Sequence, residues 1–172
     1  MAIANELIKK LGDLGIEAVI ADYKKCGYHV EVFPKKDHVR DFAGVMLEME
    51  FYLDFVTAVH VENALQAVYQ FGHFIESCHV NAKAITEDES IKTISDIFHG
   101  ADWHEREAHD FYGLKFEDHP DLRVLILDEE DFDLKPLLKN EAKLKTLDGI
   151  TRKTDSEDKV AEKPAKAEVK EE

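Results

Sequence analysis

The sequence predicts an α+β domain with a mixed or antiparallel sheet and flanking helices, followed by an extended C-terminal arm and a flexible tail. The chain has 172 residues, of which 44% are hydrophobic, enough for one domain with a sizeable core. Several strand-like runs follow one another without the crossover helices that a doubly wound parallel sheet requires. Aromatic residues end at Phe132, and from Thr151 onward the only apolar residues are valines and alanines, which cannot bury enough surface to offset the ordering entropy of that segment.

The first part of the chain combines helical and strand patterns. Apolar residues at helical spacing predict a short helix over Ala2–Leu11, whereas residues 17–24 fit a helix or a strand equally well. Apolar and polar residues alternate over Tyr28–Phe33, which predicts a half-buried strand. Asp37 is the expected N-cap of a helix from His38 to about Met49.

The central part is dominated by β-forming residues. Phe51–Val61 is rich in aromatic and β-branched side chains, and the runs Gln66–Glu76 and Cys78–Thr86 continue as an antiparallel meander. The next stretch, Ser90–Phe98, is predicted to be helical. We therefore expect an α+β domain at 1–124, an extended segment at 125–140, and a flexible charged tail at 141–172 whose removal leaves the fold intact.

Charge and composition exclude several classes of function. The net charge is −15, and residues 1–140 hold 28 acids against 14 bases, so nucleic acid is excluded and a basic protein surface is favoured. Cys26 and Cys78 are too few for a disulfide framework or an iron–sulfur cluster, and we expect two reduced, buried thiols. No apolar run of 18 residues and no signal-peptide pattern occurs, so the chain is expected in the cytoplasm.

A metal-dependent hydrolase using His104, Glu105 and His109 is the alternative from another class. The two histidines are five residues apart, whereas the zincin motif needs a spacing of four to place both rings on one helix face. The sequence also lacks the glycine-rich motifs of nucleotide, nicotinamide and flavin sites. The isolated chain is therefore expected to be colourless and free of metal, with no cofactor and no catalytic residue of its own.

Carboxylates are concentrated in the same stretch. Glu105, Glu107 and Asp110 could in principle form an acid–base pair, but such runs are more often solvated or salt-bridged. Arg106 and Asp110 stand four residues apart and are expected to pair on a helix. This spacing favours a structural or docking network over catalysis.

The same stretch resembles a known family. The residues that carry the resemblance are Glu105-Arg106-Glu107, Asp110-Phe111-Tyr112-Gly113 and His119-Pro120-Asp121-Leu122-Arg123, with Ala101-Asp102-Trp103 before them and Pro136-Leu137-Leu138-Lys139 after them. Together they resemble the 30 kDa subunit family of respiratory NADH dehydrogenase (complex I), over about residues 50–140. Residues 96–125 match that pattern most specifically.

The resemblance implies a peripheral-arm subunit that binds no redox centre itself. Such a subunit docks on a large catalytic subunit related to that of [NiFe] hydrogenases, beside iron–sulfur subunits, on the cytoplasmic side of the cell membrane. Membrane association would come only through the complex. The resemblance also implies that 125–140 form an extended arm that wraps along the partner. The positions expected by resemblance to bind the partner are Trp103, Glu105, Arg106, Glu107, Asp110, Gly113, His119, Pro120, Asp121, Arg123, Pro136 and Lys139.

Two departures from the family pattern bear on the parent complex. Arg123-Val124 stands where the family usually has two arginines, and Leu138-Lys139-Asn140 replaces its usual Arg-Lys-Asp. Together with the short chain, they favour the form found in membrane-bound energy-converting [NiFe] hydrogenases and related ferredoxin-linked complexes. The alternatives are complex I NADH:quinone oxidoreductase itself and a stand-alone acidic binding protein.

Overall fold

The computed structural model describes residues 2–139, which form a five-stranded sheet, a two-stranded sheet and four α-helices. The elements are α1 (Ala2–Asp13), β1 (Glu17–Ile20), α2 (Tyr23–Cys26), β2 (Val30–Phe33), α3 (Val39–Glu48), β3 (Phe51–Val61), β4 (Ala64–His73), β5 (His79–Thr86), β6 (Ser90–Lys92), α4 (Ala101–Tyr112) and β7 (Lys115–Glu117), with 3-10 turns at Lys36–His38 and Glu129–Asp131. The predicted tail, 141–172, lies outside the described residues.

The large sheet has the strand order β1-β2-β5-β4-β3. Strands β3, β4 and β5 pair antiparallel in chain order, which confirms the predicted meander. Strand β2 lies parallel to β5, and β1 pairs antiparallel with β2. The predicted fold class, α+β with a mixed sheet and flanking helices, is therefore confirmed. None of the helices in residues 2–139 combines the length and apolar character needed to cross a bilayer.

The hydrophobic core lies on one face of the large sheet. Alternate residues of β4 from Leu65 to Phe71 are buried there, because successive side chains of a strand point to opposite faces. The Phe71 ring meets Phe42 of α3 and Phe98 edge-on, at centroid distances of 5.5 and 5.2 Å. Helix α4 packs mainly against β3 and contributes Ala108 to this core. The core thus fixes α4 against the sheet.

The opposite face of the sheet is held by polar pairs. Lys83 of β5 forms a buried ion pair with Glu31 of β2, and the Asn81 amide donates to Gln70 Oε1 at 3.0 Å. These pairs join neighbouring strands on the face without a helix cover, although Gln66 Oε1 on the same face is buried without a hydrogen-bond partner.

The predicted helix over Ser90–Phe98 is wrong. Ser90–Lys92 is strand β6, which pairs parallel with β7 and buries Ile91. The N–H of Ile94 donates to the Glu105 carboxylate at 2.9 Å. Partners that lie 11 or more residues away therefore decide this conformation, and a local apolar pattern does not reveal them.

Smaller corrections concern Asp37 and Cys26. Asp37 lies inside the 3-10 turn Lys36–His38, and α3 begins only at Val39 without a side-chain cap, because the chain starts to coil before Asp37. Cys78 is a buried free thiol as expected, whereas Cys26 is only half-buried. The ambiguous residues 17–24 contain strand β1 and the start of the short helix α2.

A tight packing site at Gly72 gives a test of the fold. A Cβ added there would lie 2.5 Å from Cζ of Tyr52, whose ring also packs on Phe74 at 4.9 Å. We expect Gly72→Ala to lower the free energy of unfolding by about 1–2 kcal/mol, since overpacking forces the ring to move. Urea denaturation of the isolated chain measures this effect.

Gly44→Ala is the matched control. Gly44 is exposed in α3 and an added Cβ there meets nothing within 4 Å. This change should stabilise the chain by about 0.5–1 kcal/mol, because alanine loses less backbone entropy in a helix. Equal effects of the two substitutions would show that the Tyr52 ring does not constrain position 72.

Candidate functional site

Helix α4 lies between the sheet and the C-terminal arm. Ala101, Glu105 and Ala108 are buried toward the core. Trp103, Arg106 and Asp110 lie on the other side, since residues at i, i+3 and i+7 share one helix face. The helix ends at Gly113, whose φ of 78° allows its N–H to donate to the His109 carbonyl at 2.9 Å.

Glu105 fastens the segment before α4 to the helix. Its side chain is fully buried, and its carboxylate accepts the Ile94 N–H at 2.9 Å and the Thr93 hydroxyl. Burial raises the pKa of Glu105 to about 7, although these two hydrogen bonds oppose the rise; Asp102 and Asp96 nearby raise it further. The carboxylate is thus a structural anchor held close to its protonation point.

His119 faces the same carboxylate from the chain that follows β7. Its Nδ1 accepts the Asp121 N–H at 3.1 Å, so the proton of the neutral ring lies on Nε2. Nε2 lies 3.7 Å from Asp102 Oδ1 and 3.8 Å from Glu105 Oε2, and the His119 side chain is fully buried. The Tyr69 phenol of β4 is also buried within the electrostatic reach of Glu105. This acid–base cluster lies inside the domain and positions the start of the arm.

Asp110 holds the arm itself. One carboxylate oxygen, Oδ2, accepts three consecutive backbone N–H groups, from Leu125 at 2.8 Å, Ile126 at 2.8 Å and Leu127 at 3.3 Å. Burial alone would raise the pKa of Asp110, but the three N–H donors outweigh it and the pKa is lowered. Asp110 therefore stays ionised and fixes the direction in which the arm leaves the domain.

Arg106 contacts the arm one helical turn earlier. Its Nε donates to the Arg123 carbonyl and its Nη2 to the Val124 carbonyl, both at 3.0 Å. The predicted Arg106–Asp110 pair is therefore wrong, since within residues 2–139 each side chain bonds to the arm backbone instead. Arg106 supplies donors to arm carbonyls and Asp110 supplies an acceptor to arm N–H groups, and together they clamp residues 123–127.

The rest of the arm returns to the end of α4 and the edge of the sheet. Lys135 Nζ donates to the His109 carbonyl at 3.3 Å, and the Leu137 N–H to the Phe111 carbonyl at 3.1 Å. The Lys139 N–H donates to His60 Nδ1 on β3 at 3.0 Å. A cleft of about 410 Å³ lies between α4 and the arm. Both ends of the arm, 125–127 and 135–139, are thus attached to the rest of the domain, whereas 128–134 hydrogen-bond within the arm.

The attached arm exposes apolar side chains to solvent. They are Ile126, Phe132, Leu134, Leu137 and Leu138, between 40% and 64% exposed. Trp103, 68% exposed, lies on the helix face of Arg106 and Asp110, beyond the part that the arm covers. We call Trp103 with these five residues the arm surface. The apolar side chains of the arm surface are thus exposed while both ends of the arm are bonded to the domain, an arrangement suited to docking.

The twelve residues predicted to bind a partner fall into three groups. Glu105, Asp110 and the side chain of His119 are buried within the chain, so they would act on a partner only by positioning other residues. Arg106, Gly113 and Asp121 are half-buried, and the exposed members are Trp103, Glu107, Pro120, Arg123, Pro136 and Lys139. Partner binding by these residues stays a prediction.

Sequence reasoning missed the apolar residues of the arm. The apolar residues set beside acidic ones over 125–134 were a signal for them, since a segment so rich in acids presents its apolar side chains without joining the core. The hydrolase alternative gains nothing from the structure: His104, Glu105 and His109 form no metal-holding group among the described residues. His109 Nδ1 is instead bonded to the Leu114 carbonyl at 3.0 Å.

The raised pKa of Glu105 predicts a pH dependence of stability. The folded chain binds the proton of Glu105 more tightly than the unfolded chain does, so protonated Glu105 stabilises the fold. This contribution to the free energy of unfolding is fully present below about pH 4.5 and is lost as the pH rises through about 7. Glu105→Gln should therefore become more stable relative to the parent by roughly 2–3 kcal/mol between pH 5 and pH 8. Urea denaturation at several pH values measures the difference.

Glu107→Gln is the control for this experiment, because Glu107 is exposed on the same helix. The free energy of unfolding of this variant should stay within about 0.5 kcal/mol of the parent's over the same pH range. If the stability difference between Glu105→Gln and the parent also does not change with pH, Glu105 does not have a protonation point near neutral pH.

The Asp110 clamp predicts local protection of the arm. In Asp110→Asn a neutral acceptor replaces the carboxylate, and charge-assisted hydrogen bonds are about twice as strong as neutral ones. We expect amide hydrogen exchange at 125–127 to accelerate about tenfold or more, with a smaller effect on the β3–β5 amides. Asp128→Asn, exposed on the arm, should leave exchange unchanged. Unchanged protection in Asp110→Asn would exclude the clamp.

The comparison with known families agrees with the motif on α4 and the arm. Residues 32–146 match the family described as "Respiratory-chain NADH dehydrogenase, 30 Kd subunit". The match spans the sheet from β2 onward, helix α4 and the described part of the arm.

Curated relatives of this family align over part of their length. An NADH-quinone oxidoreductase subunit of Chloroherpeton thalassium is 42% identical over 82 residues, which are 46% of this chain and 34% of that protein. The corresponding protein of Chlorobium phaeobacteroides is 38% identical over 86 residues, 50% of this chain and 49% of that protein. The alignments thus span between a third and a half of these relatives.

Two solved structures share the fold. A chain of the membrane-bound sulfane sulfur reductase, an archaeal respiratory membrane complex, has a TM-score of 0.70 and 24% identity, and the match covers 92% of this chain and 97% of that one. A trypsin-resistant fragment of Nqo5 has a TM-score of 0.57 and 17% identity, with 70% of this chain and 99% of the fragment covered. The match of residues 32–146 covers well over half of the sequence, and the chain therefore belongs to the family of the 30 kDa subunit of respiratory-chain NADH dehydrogenase.

Proposed function

We propose that this chain is a peripheral-arm subunit of a complex I-like membrane-bound respiratory complex, which docks on the large catalytic subunit and positions it. It carries no cofactor and no catalytic residue of its own in this proposal. The observation that carries the proposal is the arm surface, where apolar side chains are exposed on an arm held at its start by Arg106 and Asp110 and at its end by Lys135 and Lys139. The chain would lie on the cytoplasmic side of the membrane and reach it only through the complex.

The energetics of the arm suit a stable interface. A segment that orders only on binding loses conformational entropy at that moment, whereas a preformed arm does not. Large apolar and aromatic side chains such as Trp103 and Phe132 contribute most of the binding energy in typical interfaces. Charged groups at the rim, Arg123 and Glu107, set orientation more than affinity. The arm surface thus has an apolar centre, a charged rim and little ordering cost.

The partners in this proposal are the large subunit related to that of [NiFe] hydrogenases and its neighbouring iron–sulfur subunits. Any iron–sulfur clusters and Ni–Fe centre would belong to those chains. The parent complex that we favour is an energy-converting hydrogenase or a related ferredoxin-linked complex. The departures at Arg123-Val124 and Leu138-Lys139-Asn140 support this choice. So does the fold shared along nearly its whole length with a chain of an archaeal respiratory complex.

Complex I NADH:quinone oxidoreductase is the second candidate for the parent complex, favoured by the names of the curated relatives. Detergent extraction of native membranes, affinity purification of the full chain and mass spectrometry of the co-purifying chains separate the two. Elemental analysis of the isolated chain tests the absence of a metal. A chain recovered alone as a soluble monomer would exclude both parents.

Substitutions on the arm surface test the docking directly. Trp103→Ala and Leu134→Ser should each reduce the yield of assembled complex about tenfold or more, because they remove large apolar contacts at the interface centre. Melting of the isolated chain should hardly change, since both side chains are largely exposed. Native electrophoresis of extracted membranes and a thermal melt of each purified variant provide the two readouts.

Leu14→Ser is the matched control, because Leu14 is 43% exposed after α1, away from the arm. It should leave both assembly and melting unchanged. A large fall in the melting temperature of Trp103→Ala would assign Trp103 to the fold of the chain. Normal assembly of both arm variants would remove the arm surface as the docking site.

A further inference from the structure

A second exposed apolar group lies at the turn between β4 and β5. Phe74 is 71% exposed and Ile75 82%, the two largest values among the exposed large apolar side chains of the described residues. Leu47, at the end of α3, is 54% exposed. Backbone hydrogen bonds of Glu50 link Leu47 to the turn: the Glu50 N–H donates to the Leu47 carbonyl, and the Glu50 carbonyl accepts the Phe74 N–H at 3.4 Å. We call Leu47, Phe74 and Ile75 the turn patch.

The backbone of this turn is held in place by its own hydrogen bonds. His73 Nδ1 accepts the Ile75 N–H at 3.3 Å and the Glu76 N–H at 2.9 Å. The His73 N–H donates to the Cys78 carbonyl at 3.0 Å, and the Tyr52 ring packs on Phe74 at 4.9 Å. The fold thus fixes two adjacent apolar side chains in solvent without burying either in its core. Patches of this kind mark binding sites more often than chance exposure does.

The turn patch and the end of the described arm lie at opposite ends of the β3–β4 hairpin. Phe51 pairs with His73 beside the turn, whereas Val61 pairs with Ala64 at the far end. His60, which accepts the Lys139 N–H of the arm, lies at that far end. A strand rises about 3.3 Å per residue, so the turn patch and this end of the arm are roughly 30 Å apart along the hairpin. One small contact region cannot cover both.

The charges around the turn patch indicate what it binds. Glu50, Asp54 and Glu76 are exposed acids beside it. Lys10, a base on this side of the domain, is paired with Glu48 at 2.8 Å. An acidic rim favours a basic partner and opposes an anionic lipid surface.

We propose that the turn patch is a second docking surface, which inserts Phe74 and Ile75 into an apolar pocket rimmed by Lys and Arg on a protein subunit other than the arm's partner. The chain would then act as a bridge, with the rigid β3–β4 hairpin setting the distance between two subunits. This inference goes beyond docking through the arm and stands on separate residues.

Photo-cross-linking in the assembled complex tests the bridge. The full chain carries p-benzoylphenylalanine in place of Ile75 in one preparation and in place of Leu134 in another, and mass spectrometry identifies the cross-linked chains. The expected result is that position 75 captures one subunit and position 134 captures a different one. Capture of the same subunit from both positions, of a second copy of this chain from position 75, or of no protein from position 75 would overturn the proposal.

Substitutions provide the second readout. Phe74→Ser with Ile75→Ser, and separately Glu50→Lys, should lower recovery of the subunit that position 75 captures about tenfold and leave the arm's partner bound. Leu14→Ser is the control for loss of an exposed apolar side chain. The isolated variants should melt like the parent. A lowered melting temperature with normal recovery of both subunits would instead assign the turn to folding.

Vesicle flotation separates a protein partner from a lipid surface. The isolated full chain is incubated with vesicles of phosphatidylcholine, alone or mixed with phosphatidylserine. We expect no binding to either, and binding that Phe74→Ser abolishes would assign the turn patch to lipid and overturn the proposal. If position 134 captures a partner and position 75 does not, docking through the arm survives without the bridge. If position 134 captures nothing, the proposed docking through the arm fails instead.

Discussion

Two carboxylates of helix α4 are fully buried, and backbone N–H groups stabilise both of them. Burying a carboxylate is costly unless hydrogen bonds replace its water. Glu105 accepts such hydrogen bonds from the segment before the helix, and Asp110 accepts them from the arm after it. Each carboxylate therefore fixes a stretch of irregular chain that has no partner strand. Since α4 is itself fixed to β3 by the core, the geometry of these stretches follows from the position of one helix.

The sequence predicted those parts of the fold whose partners are near in the chain or periodic along it. The meander over β3–β5 follows from runs of aromatic and β-branched residues, and α1 from apolar residues at helical spacing. The segment 90–98 was predicted wrongly, because β7 and Glu105 determine its conformation from a distance. The predicted pairing of Arg106 with Asp110 was wrong, since spacing on a helix does not reveal a chain segment that covers it.

The highest exposures among the large apolar side chains of the described residues belong to Phe74 and Ile75 of the turn after β4, followed by Trp103 and Leu134 of the arm surface. Apolar residues of the strands, such as Phe55 and Ile85, are less exposed. The open face of the sheet carries polar pairs such as Lys83–Glu31 and Asn81–Gln70. In our proposal, an acidic chain with this distribution makes apolar contacts at two points, and charge repulsion limits nonspecific association elsewhere. The motif from Glu105 to Arg123 organises the arm from inside the chain.

The two buried carboxylates differ in pKa because they differ in the number and kind of their donors. Asp110 accepts three backbone N–H groups, which outweigh burial and lower its pKa. Glu105 accepts one backbone N–H and one hydroxyl, and burial with Asp102 and Asp96 nearby prevails. The arm is therefore held by a group that stays charged across the physiological range. The segment before α4 is held by a group close to its protonation point. Asp110, which holds the arm and its exposed apolar side chains, is the less pH-sensitive of the two carboxylates. Because Asp110 stays ionised, the position of these side chains does not change through its protonation.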